Sequence, residues 1–421
     1  MTPETSARTL RLAADLSGNP DAVAAAEQVC SACVQALGPG EVSLGLVFLS
    51  AHHVPRAADI LDVIRRELKA DCLLGVSADS VLGGRLEIER APGLSILAAR
   101  LPGVSIHPFT ADAVLPYDDS SEEGRARLAR GMGLGGAGTI LLVDPFSVPM
   151  TGLLPAMSAA AGPASPIVGG LASAGSSPQS NTLILDDTIY RAGLVGVTLS
   201  GPIRLDAVVS QGCRAIGANW IITSAKRNMI LQLGGRPALE VVREMIESLP
   251  EADRNLLERG LFLGRVIDEY KARFGRDDFL IRNVVGVDPA REAIAVNDFI
   301  RVGQTVRFHL RDAATADEDL AMVLDAQQLK EPPAGAMLIT CTARGRKLFS
   351  KPHHDAAAVS RAFSAARAGE STSRGGEEID TERPSLPLAG FFAGGEIGPI
   401  GGESYLHGHS ACLALFRSLE V

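Results

Sequence analysis

The sequence predicts a mixed α/β protein of two domains, in which mixed sheets are flanked by helices. Three observations lead to this fold class. The chain has 421 residues, enough for two or three domains, and 46% of them are apolar, enough for buried cores. Buried-strand runs alternate with amphipathic helices, and the order strand, helix, strand, glycine turn, strand, strand recurs along the chain.

The first segment with this order follows a helix at 20–36 and the helix breaker GPG at 38–40. It opens with VSLGLVFLS at 42–50, a continuous apolar run that is typical of a buried strand. An amphipathic helix follows in AADILDVIRRELKA, and the remaining strands are DCLLGVSADS, RLEIER and LSILAARL. This segment therefore provides the pattern for the rest of the chain.

The same order recurs three more times, which indicates a repeated unit. The second copy begins with TILLVDPFS at 139–147, and the third begins with GLFLGRVIDEYKARF at 260–274. The fourth begins with AMLITCTARG at 336–345 and ends in PLAGFFAGGEIGPIGGESYLHGHSACLALF at 387–416. Four units favour two domains of two units each.

The domain boundary is expected at the SGP of residues 200–202. An N-terminal extension with the start of a helix then occupies 1–29, the first domain 30–200, and the second domain 201–421. Residues 366–385 combine Gly, Ser and charge with almost no apolar content, so they are predicted to form a mobile surface loop.

Composition argues against several classes of partner. The chain carries 40 Lys and Arg against 49 Asp and Glu, a net charge of -9, and it has no basic run, so no nucleic-acid partner is expected. No stretch reaches the length of a membrane span, and the N-terminus lacks the apolar core of a signal peptide, so we expect a cytoplasmic protein without a membrane role. The six cysteines are scattered and predict no disulfide framework.

Several polar residues stand in apolar or glycine-rich surroundings. Glu396 is the only charge in the glycine-rich turn around Gly395, which fits either a ligand contact or a tight turn. Arg282 and Arg311 lie within apolar strands, so each is either in an internal ion pair, for example with Asp312, or an anchor for an anionic ligand. The sequence leaves both alternatives open.

Histidine and cysteine give weaker signals. His407 and His409 alternate along a strand, and His353 and Asp355 could do likewise if the PHHD segment is extended, so the four side chains could converge on a metal ion or make ordinary hydrogen bonds. Two cysteines could act as reactive thiols, Cys341 at a strand end and Cys213 beside an arginine. No sequence feature identifies a cofactor.

A series of motifs along the chain resembles the FIST family, which pairs an N-terminal with a C-terminal FIST domain. The motifs of the second half are SQGCRAIG, GRPALE, DDFLIRNVVGVD, RVGQTVRFHLRD, CTARG and GFFAGGEIGP, in that order. VSLGLVFLS and LLGVSADSVLGG give a looser match in the first half. The likeness covers nearly the whole chain.

The resemblance implies an intracellular sensory domain that binds a small molecule, with amino acids as the suggested ligands. It supplies no catalytic residues, and the positions that match the family motifs are Gln211, Gly212, Arg282, Asn283, Arg344, Gly395 and Glu396. Relatives are signalling proteins and an F-box protein, but this chain shows no kinase, cyclase, methyl-accepting or F-box segment. A signal would therefore leave through a partner protein or a homo-oligomer.

Three functions are compatible with these observations. The first is a ligand-binding module without catalysis of its own, in which Arg282 or Arg344 binds the carboxylate of an amino acid and Glu396 binds its ammonium group. The second is a hydrolase or transferase that depends on a metal ion or on a cysteine. The third is a protein-interaction scaffold that docks a partner through the loop at 366–385.

Overall fold

The computed structural model describes residues 9–133, 136–364 and 386–419, and the chain divides into two compact units. The sheet unit contains the described residues up to Ser210, those from Leu320 to Leu406 and those from Ser410 onward. The barrel unit contains Gln211–Asp319 together with His407–His409. The loop predicted at 366–385 lies entirely outside the described residues.

Two segments of the sheet unit precede the barrel unit in the chain. The first segment contains β1 (Arg11–Ser17), α1 (Ala22–Leu37), β2 (Val42–Ser50), α2 (Ala57–Leu68), β3 (Ala70–Ala78), β4 (Ser80–Gly83), β5 (Leu86–Glu89) and β6 (Leu94–Arg100). The second segment contains β7 (Ser105–Thr110), α3 (Ala111–Val114), α4 (Glu122–Met132), β8 (Gly138–Val143), α5 (Met150–Ala161), β9 (Ile167–Leu171), β10 (Leu183–Leu185), β11 (Thr188–Tyr190) and β12 (Leu194–Ser200).

The remaining elements form the barrel unit and the last segment of the sheet unit. After β13 (Ile203–Gln211), the barrel unit contains β14 (Cys213–Lys226), β15 (Met229–Leu233), β16 (Arg236–Pro237), α6 (Ala238–Ser248), α7 (Glu251–Leu256), β17 (Leu261–Val266), β18 (Phe279–Asp288), β19 (Ala293–Val296) and β20 (Thr305–Arg311). The last segment contains α8 (Ala313–Gln328), β21 (Gly335–Cys341), α9 (His354–Ser364), β22 (Leu388–Ala393), β23 (Glu396–Ile400), β24 (Glu403–His407) and β25 (Ser410–Ser418). The start of α8, up to Asp319, and His407 of β24 are counted with the barrel unit.

The sheet unit consists of three six-stranded sheets with the same strand order. The orders are β1-β6-β2-β3-β10-β11, β7-β12-β8-β9-β23-β24 and β13-β25-β21-β22-β4-β5. In each sheet a central parallel pair is flanked on one side by antiparallel strands of its own segment. On the other side each sheet receives a hairpin from a different segment, so the three segments are interlinked.

One glycine in each parallel pair allows the neighbouring backbone to approach closely. These are Gly75, Gly169 and Gly390, each followed three residues later by an alanine. A Cβ there would lie 2.9, 1.8 and 1.8 Å, respectively, from the carbonyl oxygen of the paired residue on the adjacent strand. The shared G-x-x-A pattern therefore has the same steric cause in all three sheets.

Helices cover the outer faces of the sheets, and the inner faces share one core. In β2, Leu44, Leu46 and Phe48 join this central core, whereas Val47 and Leu49 pack with α1 and α2. The strand is thus buried on both faces, which explains its continuous apolar run. Among the described residues, no helix is both long and apolar enough to cross a membrane.

The barrel unit has a different topology from the one predicted for the third copy of the repeat. Its sheet runs β14-β20-β17-β18-β19-β15, and a further β14–β15 pairing closes it into an antiparallel barrel. Apolar side chains of the strands and of α6 form its core. The segment at 260–311 is therefore not a copy of the unit in the other three segments. The prediction was wrong because antiparallel strands separated by glycine turns have a sequence pattern similar to that of the repeated unit.

The division into units also differs from the predicted boundary at 200–202. β12 and β13 both belong to the sheet unit, and residues from Leu320 onward return to it. Within the predicted extension 1–29, residues Arg11–Ser17 form β1, which pairs with β6. A single boundary in the sequence cannot describe this division, because the barrel unit is inserted into the last segment of the sheet unit.

Candidate functional site

A buried polar cluster lies where the parallel strands β21 and β22 end. Cys341 is the last residue of β21, Arg344 follows in the next turn, and Glu396 begins β23 just after β22. Asp355 lies in the first turn of α9, the helix that connects the two strands. Parallel strands end at the same edge of a sheet, which is the usual location of ligand sites in α/β proteins.

Arg344 and Asp355 form an ion pair inside the sheet unit. Arg344 Nε and Nη2 lie 2.7 and 2.8 Å from the two carboxylate oxygens of Asp355, and Thr340 Oγ1 donates to the same carboxylate at 2.6 Å. The two charged side chains are 0% and 1% exposed. Burial favours the neutral acid, but the charge and hydrogen bonds of Arg344 prevail and hold the pKa of Asp355 below its ordinary range.

Arg344 keeps one donor group that the ion pair does not use. Its Nη1 has no hydrogen-bond partner among the described residues, although the atom is buried. The guanidinium carbon lies 5.2 Å from the ring centroid of Phe349, within the range of a cation–π contact. The aromatic ring provides no acceptor in the plane of the guanidinium group, so the contact with Phe349 does not satisfy the Nη1 donor.

Glu396 is fully buried and also keeps one atom unused. Its Oε2 accepts hydrogen bonds from Ser410, at 3.2 Å from the backbone nitrogen and 2.7 Å from the hydroxyl. Its Oε1 has no partner in the part of the chain that the structure describes. Burial raises the pKa of Glu396 to about 8, although Ser410, the Cys341 thiol and the charge of Arg344 act to lower it.

These two residues offer complementary chemistry at one place. Arg344 is positively charged and provides a permanent donor, whereas Glu396 is protonated below about pH 8 and ionised above it. An ammonium group beside Glu396 would favour the ionised form, because an opposite charge lowers the pKa of an acid. The cluster therefore combines one permanent hydrogen-bond donor with one titrating carboxyl group in the buried interior of the sheet unit.

Sequence reasoning missed a third buried carboxylate next to this cluster. Glu87 lies on β5, in the hairpin that the first segment contributes to the sheet of β21 and β22. Its Oε1 accepts the backbone N–H of Ala356 at 3.0 Å, and its Oε2 has no partner among the described residues. Burial, and then the charge of Asp355, raise the pKa of Glu87 to about 7. The sequence RLEIER around Glu87 does not indicate burial, because the residue that Glu87 contacts, Ala356, belongs to another segment.

The four candidate metal ligands have other contacts. Asp355 pairs with Arg344, and His353 Nδ1 accepts the backbone N–H of Glu87 at 2.9 Å. His407 and His409 belong to the barrel unit, where the His409 ring packs edge-on against Phe262. Within 9–133, 136–364 and 386–419, no group of three or more His, Cys, Asp or Glu residues is placed to hold a metal ion.

The other candidate ligand residues lie in the barrel unit. Gln211 uses its backbone N–H on Asp319 at 2.7 Å and its side-chain amide on the carbonyl of Phe279 at 3.0 Å. Arg282 Nε lies 3.0 Å from Asp298, so of the two alternatives for Arg282 the structure shows an internal ion pair, with Asp298 in place of Asp312.

The contacts or strand partners of three further candidates in the barrel unit come from within the protein. The Gly212 carbonyl accepts from the backbone of Asp312 at 3.3 Å, and the Asn283 side chain contacts His409 Nε2 at 2.9 Å. Arg311 lies opposite Cys213 in the β14–β20 ladder. The structure thus brings Arg344, Gly395 and Glu396 together in the sheet unit, whereas the other five candidate ligand residues belong to the barrel unit.

The chain is similar over nearly its full length to mycobacterial proteins. An uncharacterised protein of Mycobacterium tuberculosis is 35% identical over 411 residues, which cover 97% of this chain and 100% of the relative. An uncharacterised protein of Mycobacterium bovis is 36% identical over 411 residues, covering 97% of this chain and 99% of the relative. These similarities reach from the first segment to the last.

Among solved structures, one described as a cyanuric acid hydrolase resembles the chain weakly. The match has a TM-score of 0.31 and 8% sequence identity, and it covers 97% of this chain and 100% of the other. The family comparison is more specific. The FIST N domain matches residues 43–236 and the FIST C domain matches residues 238–399. Because these two matches cover most of the chain, they show that it belongs to the FIST family.

Proposed function

We propose that this chain is a sensory module that binds a small zwitterion, with an amino acid as the preferred class, at the Arg344–Glu396 cluster. FIST domains are generally sensory domains of signal transduction. The single observation that carries the proposal is that two buried ionisable residues, Arg344 and Glu396, each keep one polar atom without a partner among the described residues. Buried polar groups are normally satisfied, and an exception calls for an explanation.

An amino acid would satisfy both atoms at once. Its carboxylate would accept from Arg344 Nη1, and its ammonium group would donate to Glu396 Oε1, each as a charge-assisted hydrogen bond. The Asp355 ion pair fixes the orientation of Arg344, so little side-chain entropy is lost on binding. Signal output would then proceed through a partner protein or a homo-oligomer.

Binding of the ammonium group would be coupled to release of a proton. Glu396 is protonated at neutral pH because its pKa is about 8, and it must ionise to pair with the ligand. Affinity should therefore rise with pH up to about 8, and it should fall again where the ammonium group of the ligand itself loses its proton. A binding site without a titrating carboxyl group would not show this dependence.

The test is a thermal-shift screen of the full chain against the twenty common amino acids, near neutral pH and near pH 8.5. A ligand that binds the folded state raises its apparent stability, by about 2.7 kcal/mol when its concentration is 100 times Kd. In Glu396→Gln the stabilisation should be lost at both pH values. Glu87→Gln serves as a matched control, because it changes a neighbouring buried carboxyl group outside the proposed contact.

Two results would contradict the proposal. One is that no amino acid stabilises the wild-type chain at either pH. The other is that Glu396→Gln, folded by circular dichroism, responds to the amino acid as the wild type does.

A further inference from the structure

The barrel unit carries a cleft of about 220 Å³ that is independent of the Arg344–Glu396 cluster. It lies on the outer face of the barrel, where Ala215 pairs with His309 and Gly264 pairs with Arg307 across adjacent strands. The side chains that alternate with them point into the barrel core. The cleft is smaller than the ~300–1,000 Å³ of drug-sized pockets, so it suits a ligand of few atoms.

Gly264 shapes the floor of this cleft. A Cβ at this position would lie 2.3 Å from His309 Cε1 and 3.0 Å from the Cβ of Phe279. Without a side chain there, the His309 ring lies over β17 and packs edge-on against Phe279, with ring centroids 5.1 Å apart. The glycine therefore allows the imidazole to line the cleft.

His309 presents an acceptor. Its Nδ1 lies 3.0 Å from the carbonyl oxygen of Arg307, and a carbonyl can only accept, so Nδ1 carries the proton. Burial lowers the pKa of His309 to about 4, so the ring is neutral at pH 7 and Nε2 has no proton. His309 is 2% exposed, and Nδ1 makes the only hydrogen bond of its ring within the described residues.

Three arginines supply donors around the same space. Arg214 is held by Asp253 at 2.6 Å and Asp312 at 3.3 Å, and Arg276 lies 3.5 Å from Asp319. No carboxylate is among the described residues that line the cleft, so these acids orient the guanidinium groups without facing a ligand. Each guanidinium has five N–H donors, more than these contacts use.

Arg307 differs from the other two arginines. Its Nε donates to the carbonyl of Ile216 at 3.4 Å, and it has no carboxylate partner in the described part of the chain. Its charge is therefore not compensated locally. The Arg307 guanidinium attracts an anion, and the His309 Nε2 acceptor beside it favours an anion that can also donate a hydrogen bond.

We propose that this cleft binds a small oxyanion that also carries a hydroxyl group, such as hydrogen phosphate or a 2-hydroxy carboxylate. The arginines would donate to the anionic oxygens, and the hydroxyl would donate to His309 Nε2. An oxyanion without a hydroxyl leaves Nε2 without a donor and brings a lone pair towards it, which costs binding energy. The site therefore distinguishes phosphate from sulfate, and lactate from propionate.

The experiment is isothermal titration of the full chain at pH 7 with each of these four anions. Phosphate or lactate should bind at least about tenfold more tightly than its counterpart without the hydroxyl. Arg307→Met should weaken that binding by about tenfold or more, and no buried acid loses its partner in this variant. His309→Phe, which keeps the ring contact with Phe279, should abolish the preference for the hydroxylated anion.

Arg301→Met is the matched control, because it removes the charge of an exposed arginine from the same unit. It should bind like the wild type. The inference is overturned if neither hydroxylated anion exceeds its counterpart, or if Arg307→Met binds as tightly as the wild type. If His309→Phe does not fold, the wild-type preference and Arg307→Met decide the question. Glu396→Gln should leave anion binding unchanged, which separates this site from the proposed amino-acid site.

Discussion

The substitution Glu396→Gln should change how the stability of the sheet unit depends on pH. Burial holds the pKa of Glu396 at about 8 in the folded chain, against 4.5 for the ordinary side chain. Between these values the folded state keeps a proton that the unfolded state releases, so the free energy of unfolding falls as pH rises. Below about pH 4.5 both states are protonated, and above about pH 8 both are ionised, so the loss is confined to this interval.

The magnitude follows from the two pKa values. At about 1.4 kcal/mol per pH unit, the interval from 4.5 to about 8 corresponds to roughly 5 kcal/mol in total, an order-of-magnitude figure. About half of it should be lost between pH 5 and pH 7. Glutamine keeps the shape of the side chain and does not titrate, so the variant should lack this contribution.

The assay is urea unfolding at several pH values from about 5 to 9, followed by far-ultraviolet circular dichroism. The quantity to compare is the stability of the wild type minus that of Glu396→Gln, because other titrating groups such as Glu87 then cancel. This difference should decrease steadily with pH and level off above about pH 8. Glu41→Gln, at an exposed position, is the control and should give a flat difference. Parallel stability curves for wild type and Glu396→Gln would refute the reasoning.

Two further predictions concern the sheet that contains β21 and β22. Arg344→Met should lower the free energy of unfolding by about 3–5 kcal/mol, because Asp355 then stays buried without a countercharge, and adding Asp355→Leu should recover much of the loss; additive effects of the two changes in urea unfolding would contradict this. Gly390→Ala should destabilise the chain by at least about 1–3 kcal/mol, because the new Cβ would lie 1.8 Å from the Leu338 carbonyl oxygen. Gly286→Ala, with no atom within 4 Å, is its control, and equal melting temperatures for the two variants would disprove the steric argument.

Some residues of the candidate site could be predicted from the sequence, and others could not. The glycine-rich turn singled out Glu396, because it is the only charge among these glycines, and the family resemblance of the CTARG motif singled out Arg344. Asp355 was considered only as a metal ligand, and the structure instead makes it the ion-pair partner of Arg344. Glu87 was not considered at all, because an acidic residue in a polar strand gives no sign of burial.

The sequence by itself determined the mixed α/β class of the chain. Local patterns suffice for this, because an apolar run such as that of β2 records burial on both faces, and the glycines Gly75, Gly169 and Gly390 record close backbone contact. Only the tertiary structure decided that 260–311 belongs to a barrel, that hairpins pass between segments, and which atoms of Arg344 and Glu396 have no partner among the described residues. The reason is physical: strand pairing and ion pairing join residues far apart in the chain, and one strand pattern is compatible with many partners.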